Sequence, residues 1–493
     1  MKKVLRAYKK TVSIVNETAI WMYENLGSDR IGFLMESNEK ESGKYTFMGV
    51  DPQALVQSEK DGLVITENNG NVTKLKGNPL VLLKEYFSSF EVHSDETQDE
   101  FNGGLVGSLG YDFIRYTENL PDDNEDEIGI ETIQLMLALK FIAIDHMAET
   151  VTAVVLDEDN EEGKKRALAE AEKLIDEART PGNENKKSCE IKNHHDGVII
   201  KKSDTLEQYS EKVNKIKEYI KEGHIFQTVL SQRWTIQTKQ TGFDLYKQLR
   251  VLNPSPYLYY YNFGKFEIIG SSPEMIVKQT GNNVYTCPIA GTRKRGKTKE
   301  EDEALERELL SDEKEKAEHV MLVDLARNDC GRVSQIGSVK VTEFMRVQRY
   351  SHVMHIVSLV EGKRHGSCHP LDMVSSFLPA GTLSGAPKIR AMEIIDELEK
   401  TKRSTYGGAI GYISFNGNFD SCITIRTGVF KDGKAYIQAG GGITIRTMIK
   451  KGDKVYLQAG AGIVADSVPE NEYQECCNKV MALAKTLVEE ENL

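Results

Sequence analysis

Residues 423–442 and 443–462 are a twenty-residue pattern written twice, identical at twelve positions. Ile423-Thr-Ile-Arg-Thr-Gly-Val-Phe-Lys-Asp-Gly-Lys-Ala-Tyr-Ile-Gln-Ala-Gly-Gly-Gly442 runs straight into Ile443-Thr-Ile-Arg-Thr-Met-Ile-Lys-Lys-Gly-Asp-Lys-Val-Tyr-Leu-Gln-Ala-Gly-Ala-Gly462. Each copy reads as a hairpin: an alternating strand, a Gly/Asp turn, a second strand and a glycine-rich exit. Twenty is even, so exchanging one copy for the other keeps every side chain on its face of a sheet. Two copies are too few for a solenoid. Three threadings are open: copy one in place with copy two extruded, the reverse, or a hybrid. In the hybrid, Arg426 keeps its upstream flank Asn418-Phe-Asp-Ser-Cys422 and Gly462 its downstream flank Ile463-Val-Ala-Asp-Ser467. The hybrid leaves both flanks undisturbed and is the expected one. Extruding the extra residues costs little closure entropy, ~0.6 kcal/mol per doubling of loop length, but leaves strand edges exposed.

At 493 residues and 39% hydrophobic content the chain can bury a large core, as one large domain or two interleaved layers. A formal charge of −12 with no basic stripe argues against nucleic acid as a partner. The N-terminus lacks the apolar core of a signal peptide, and no run of about 18 apolar residues could span a membrane. Seven cysteines (189, 287, 330, 368, 422, 476 and 477) are odd in number and lack C-x-x-C spacing, so free thiols in a reducing cytoplasm are expected.

Residues 1–155 alternate short β-type runs, such as Tyr45-Thr-Phe-Met-Gly49 and Val151-Thr-Ala-Val-Val-Leu156, with Gly and Asn turns. The glycines of Phe101-Asn-Gly-Gly-Leu-Val-Gly-Ser-Leu-Gly-Tyr-Asp112 suit close backbone packing; no strand-to-helix G-x-G-x-x-G switch makes this a nucleotide loop. A charged helix is expected over 160–178. From about 200 the grain changes: a helix over 206–222, a strand over 226–234, strands at 257–261 and 267–270, acidic helices from 299, a strand at 352–358, a helix over 388–400 and a C-terminal helix. This order is α+β, too irregular for a doubly wound sheet. It divides the chain into an N-terminal region 1–180, a linker 181–200 and a main region 201–493.

Two acidic pairs stand out. Glu315 and Glu318 are three apart, share a helical face and lead into apolar Val320, Met321, Leu322 and Leu325. Glu472 and Glu475 repeat the spacing at the start of another amphipathic helix. Either the pairs are solvated, salt-bridged faces, or they meet, in which case a hard divalent cation relieves their repulsion. Before and between them lie Ser271-Ser-Pro-Glu-Met-Ile276, Cys287-Pro-Ile-Ala-Gly-Thr-Arg293, Ala380-Gly-Thr-Leu-Ser-Gly-Ala-Pro-Lys388 and Arg403-Ser-Thr-Tyr-Gly-Gly-Ala-Ile-Gly-Tyr412. The last three offer glycine-exposed amides beside a hydroxyl or cation. With Arg426 and the glycines of Gln458-Ala-Gly-Ala-Gly462, such groups suit a small, multiply anionic substrate.

Taken in order, these segments resemble the chorismate-utilising enzymes, most closely the large subunit of anthranilate synthase, over about residues 30–490 and most densely from 224. The resemblance implies an α+β fold: a two-layered α/β sandwich of orthogonal antiparallel sheets around a central cleft, with 1–180 interleaved into it. It implies a Mg2+-dependent lyase that converts chorismate and ammonia to anthranilate and pyruvate, the first committed step of tryptophan biosynthesis. The chain contains no glycine-rich elbow with a nucleophilic cysteine, so glutamine use requires a glutamine amidotransferase small subunit as a separate chain.

The resemblance also implies roles. Glu318 and Glu475 match the Mg2+ ligands, with Glu315 and Glu472 as outer partners through water. Glu274, His355 and Thr382 match the catalytic set, Glu274 as the general acid that protonates the departing C4 hydroxyl. Gln227, Thr292, Tyr406, Arg426, Gly460 and Gly462 match the substrate pocket; Tyr406, Arg426 and the amides near the two glycines hold the enolpyruvyl carboxylate. Ser37, Pro254, Ser255 and Tyr257, in Leu34-Met-Glu-Ser37 and Asn253-Pro-Ser-Pro-Tyr257, match a feedback pocket for tryptophan as inhibitor. Family members that add water carry lysine in place of Gln227, and aminodeoxychorismate synthases usually carry lysine in place of Ala290. Both departures favour anthranilate synthase over its aminodeoxychorismate relative. A third reading, a non-catalytic protein that binds tryptophan or a partner, applies if the repeat disables the site.

Overall fold

The computed structural model describes residues 2–37, 44–95, 100–180, 197–252, 254–350, 353–425, 427–431, 434–438, 449–451 and 454–484. Within them the strands form two large, mainly antiparallel sheets, and helices pack against both, an α+β architecture.

Neither sheet belongs to one half of the chain. In the larger, Tyr257–Asn262 pairs with Gly32–Ser37, Tyr257 lying directly opposite Ser37. In the smaller, Ala409–Ser414 pairs with Gly104–Leu109. The glycine-rich segment explains this second seam. A Cβ on Gly104 would overlap the Ile413 carbonyl oxygen, and one on Gly107 that of Gln134, so strands close in on both sides only because these side chains are missing. A single hydrophobic core then runs through both sheets, from Leu5 and Phe33 to Ile463 and Val480.

Caps set the main helices. Asn160 accepts the Gly163 N–H to start Glu161–Arg179, which buries Ala167, Ala171, Leu174, Ile175 and Ala178 at helical spacing. Thr205 and Gln208 form a capping box on Leu206–Lys221. Asp312 ends Lys299–Ser311 and accepts the N–H groups of Lys314 and Glu315, so the acidic run is two helices and Glu315 lies in the first turn of the second, Glu313–Val333.

Two expectations need correction. The first 155 residues, read as strands and turns, also contain helices Ala19–Leu26 and Pro79–Ser88. Both are short, and their cap residues Thr18 and Asn78, with Pro79 in the first turn, are clearer signals than their periodicity. The linker 181–200 is too long: 181–196 lies outside the described residues, but Val198–Lys202 is a strand, its β-branched Val-Ile-Ile start pairing with the end of Gln227–Gln237. Six of the seven cysteines are described, and all six are free. No helix among the described residues is long and apolar enough to cross a membrane.

The repeat enters the larger sheet as a hybrid. Thr427–Lys431 of copy one pairs with Glu267–Ser272, while Lys454–Ile463 of copy two pairs with Gln227–Gln237. The two hairpins have one register: Val429 lies opposite Tyr436 and Lys431 opposite Lys434, as Ile449 opposite Tyr456 and Lys451 opposite Lys454. Ile423-Thr-Ile-Arg was expected to be strand, yet Phe419–Ile423 ends in the smaller sheet and Thr427–Lys431 begins in the larger, so the chain changes sheets after Ile423. Ile423, Thr424 and Ile425 are all buried, which an edge-on crossing between layers produces and a half-exposed strand does not. Arg426, like Arg446, lies outside the described residues. Because the registers coincide, deleting 443–462 or 423–442 is expected to leave the thermal unfolding midpoint unchanged or raised; a fall of more than about 5 °C in both deletions would show that the second copy is integral.

Candidate active site

Glu274 stands at a second crossing, where the chain leaves Glu267–Ser272 in the larger sheet for Met275–Thr280 in the smaller. Its carbonyl accepts the Ile423 N–H at 2.9 Å, so the two crossings are tied together. Its side chain is buried, and Oε1 accepts a hydrogen bond from the Thr382 hydroxyl at 3.1 Å. Both residues line a small cavity of about 50 Å³ closed by Leu322, Leu325, Asp329 and Ile423. Glu274 and Thr382, 108 residues apart, are thus brought together.

His355 and Thr292 are also adjacent. His355 is buried on Val353–Lys363, with Nδ1 2.9 Å from the Gly291 carbonyl and 3.1 Å from the Thr292 hydroxyl. A carbonyl only accepts, so Nδ1 carries a proton. A further pairing closes around the glycine exit. A Cβ on Gly460 would lie 3.0 Å from the Tyr406 hydroxyl, and one on Gly462 2.7 Å from Gln227 Nε2, so both side chains rest against bare backbone. Tyr406 is fully buried, which holds its phenol well above its usual pKa.

The four carboxylates lie on the helices Glu313–Val333 and Pro469–Ala484, with Glu475 near enough to act on Glu318. Burial, then the charges of Glu315 and Glu475, push the Glu318 carboxyl up; burial and Glu475 do the same to Glu472. Arg293 Nη1 donates to Glu315 Oε1 at 3.3 Å. Among the described residues no three acidic, histidine or cysteine side chains are drawn to metal-binding distance. A cation missed in the sequence stands among them instead. Lys479 is buried, paired to Glu475 one turn earlier, and donates to the Gly460 carbonyl at 3.1 Å. Its signal was its place between buried Cys476 and Val480 on the inward face of the last helix.

Ser37 and Tyr257 line a separate cavity of about 420 Å³, together with Met35, Glu36, Lys278 and Asp420. Of the other expected residues, Ser255 is buried, and neighbouring Pro256 is the proline that lines this cavity. Glu36 is held by Tyr246 and Arg250 at 2.5 and 2.8 Å, and Tyr257 donates to Asp420 at 2.9 Å. Met275 and Cys287 line both this cavity and the small one beside Glu274.

The sequence profile of the chorismate-binding enzymes matches residues 32–445 and 443–485, breaking where copy one meets copy two. Anthranilate synthase component 1 of Acetivibrio thermocellus is 47% identical over 481 residues, covering 96% of this chain and 93% of that protein. The component 1 of Bacillus subtilis is 41% identical, over 97% of this chain and 91% of its own length. The structure of anthranilate synthase component I from Streptococcus pneumoniae superposes with a TM-score of 0.76 at 36% identity, covering 90% of this chain and 93% of that one. The menaquinone-specific isochorismate synthase of Escherichia coli shares the fold, with a TM-score of 0.70 at 17% identity over 99% and 95% of the two chains.

Proposed function

The chain belongs to the chorismate-binding enzyme family, and from that premise we propose that it is the large subunit of an anthranilate synthase, converting chorismate and ammonia to anthranilate and pyruvate. What carries the reading is the near-full-length likeness to anthranilate synthase components at up to 47% identity. Gln227 agrees with it. A neutral amide packed against Gly462 cannot take a proton from water, whereas unprotonated ammonia needs no such base. The partner is a separate glutaminase chain, and the compartment the cytoplasm, which suits six free thiols.

Residues 201–493 supply the chemistry in this reading, and 1–180 the feedback segments. Glu274 gives its proton to the departing C4 hydroxyl, with the Thr382 bond fixing its carboxyl oxygen. His355, its Nδ1–H tied to Gly291, presents Nε2. Tyr406 and the amides near Gly460 and Gly462 hold the enolpyruvyl carboxylate, with Arg426 assigned by sequence alone. The carboxylates suit Mg2+: all donors are hard oxygens, and Glu318 and Glu472 bear a like-charge burden that a cation relieves. Glu318 and Glu475 would hold it, with Glu315 and Glu472 behind them; bound, it supplies positive charge for the ring carboxylate.

The test is direct. The purified chain with chorismate, Mg2+ and ammonium should develop anthranilate fluorescence and release pyruvate. A 4-amino-4-deoxychorismate product without pyruvate would reassign it, and no turnover at all would favour a binding protein. Tryptophan is the proposed ligand of the second cavity, near Ser37, Pro254, Ser255 and Tyr257. Ser37→Phe should therefore abolish tryptophan inhibition without lowering the uninhibited rate, as followed by inhibitor titration; a parent indifferent to millimolar tryptophan would count against the pocket.

A further inference from the structure

The strand Gln227–Gln237 is bordered on the side away from the repeat by Gly385–Ala386 at residues 227–228 and by Val198–Lys202 from Trp234 on. Between these two neighbours no described strand pairs with this side of it, and an ion pair lies there instead. Glu399 and Arg403 are 7% and 2% exposed at their side chains. Arg403 Nε donates to Glu399 Oε2 at 2.9 Å and Nη2 to Oε1 at 2.5 Å. The same guanidinium donates to the Val229 carbonyl at 2.7 Å and to the Leu383 carbonyl at 2.6 Å. Glu399 Oε1 accepts the Ser231 N–H and hydroxyl at 2.9 and 2.8 Å. The guanidinium carbon also lies 4.8 and 5.4 Å from the ring centroids of Tyr111 and Tyr406.

Every attachment but Tyr111 is one step from the site. Val229 lies directly opposite Gly462, and Ser231 opposite Gly460. Leu383 follows Thr382, and Tyr406 is the residue whose hydroxyl meets Gly460. We propose that Arg403, clamped by Glu399, is a positioning residue of the substrate pocket. Its planar fork sets the spacing between the strand behind the two glycines, the turn carrying Thr382 and the ring of Tyr406. Three acceptors from separate segments, Glu399, Val229 and Leu383, match the several donors of a guanidinium fork better than an ammonium. The proposal rests on the functional reading above.

A purely structural pair would satisfy the same buried backbone, and the protein contains a control. Arg115 donates at 2.9 Å to both carboxylate oxygens of Asp396, on the helix Lys388–Leu398 that Glu399 caps, with side chains 13% and 11% exposed; its other bonds, to Asp112 and the Pro121 carbonyl, reach no segment of the site. Arg403→Lys and Arg115→Lys are to be compared in the full chain for unfolding midpoint, kcat and KM with ammonium and Mg2+, and chorismate affinity without ammonium. Both should lower the midpoint. Arg403→Lys alone should raise KM and the dissociation constant for chorismate by ~10-fold or more, a shift of one tenfold step in affinity. An Arg403→Lys chain that binds chorismate like the parent overturns the proposal, as does weakened binding in both variants in step with their midpoints. If Arg403→Lys fails to fold, Glu399→Gln, which keeps the size and the Ser231 contact, should give the same rise; unchanged affinity there overturns it equally. A parent that neither binds nor converts chorismate overturns the functional reading itself, and this inference with it.

Discussion

Glu274→Gln is expected to lower kcat for anthranilate formation by ~10²–10⁴-fold, the range for a positioned general acid, while chorismate affinity stays within a few-fold. That is about 2.7–5.5 kcal/mol of barrier, far more than a neutral hydrogen bond would contribute. The substitution is conservative where it matters. Glutamine keeps the size of a buried side chain and an oxygen for the Thr382 hydroxyl, now 3.1 Å away. The backbone tie from Ile423 to the Glu274 carbonyl is unaffected. What glutamine lacks is a transferable proton. Steady-state kinetics separate the outcomes: a variant that keeps its maximal rate and loses affinity would make Glu274 a binding residue. The rate should fall equally with ammonium or with a glutaminase partner as nitrogen source, because the acid acts on the leaving group.

Much of this site was readable because its chemistry is local in sequence. The i, i+3 spacing of Glu315 with Glu318 and of Glu472 with Glu475 puts each pair on one helical face before any tertiary contact is considered. Glu274 follows a strand and a proline, and the glycines 460 and 462 mark bare backbone. What escaped is what depends on pairing across the chain. Arg403 reads as one more cation of a candidate substrate segment; its bond to the carbonyl of Val229, 174 residues earlier, appears only in the fold. Lys479 looks like one more charged residue on an amphipathic helix until Gly460 is placed against it. The Ile-Thr-Ile pattern at 423 imitates a strand because β-branched residues alternate there, although the backbone is changing sheets and burying every one of them.

Glu318→Gln should abolish Mg2+-dependent turnover, and a chelator should do the same to the parent. The effect should also be visible without catalysis. Glu318 and Glu472 have carboxyl pKa values raised in the folded chain, first by burial and then by neighbouring carboxylates. The folded state therefore binds protons more tightly than the unfolded state at these positions, and stability must fall as pH rises through the interval between the ordinary carboxylate value and the raised ones. Metal-free protein should accordingly show an unfolding midpoint that climbs as pH is lowered toward that interval. Mg2+ favours the ionised carboxylates, so saturating Mg2+ should raise the midpoint near neutral pH and flatten its pH dependence. Glu318→Gln removes one titrating carboxyl and one candidate ligand together. It should raise the metal-free midpoint at neutral pH while reducing the further gain from Mg2+. A Glu318→Gln chain stabilised by Mg2+ as strongly as the parent would move the ion away from Glu318, whatever became of its activity.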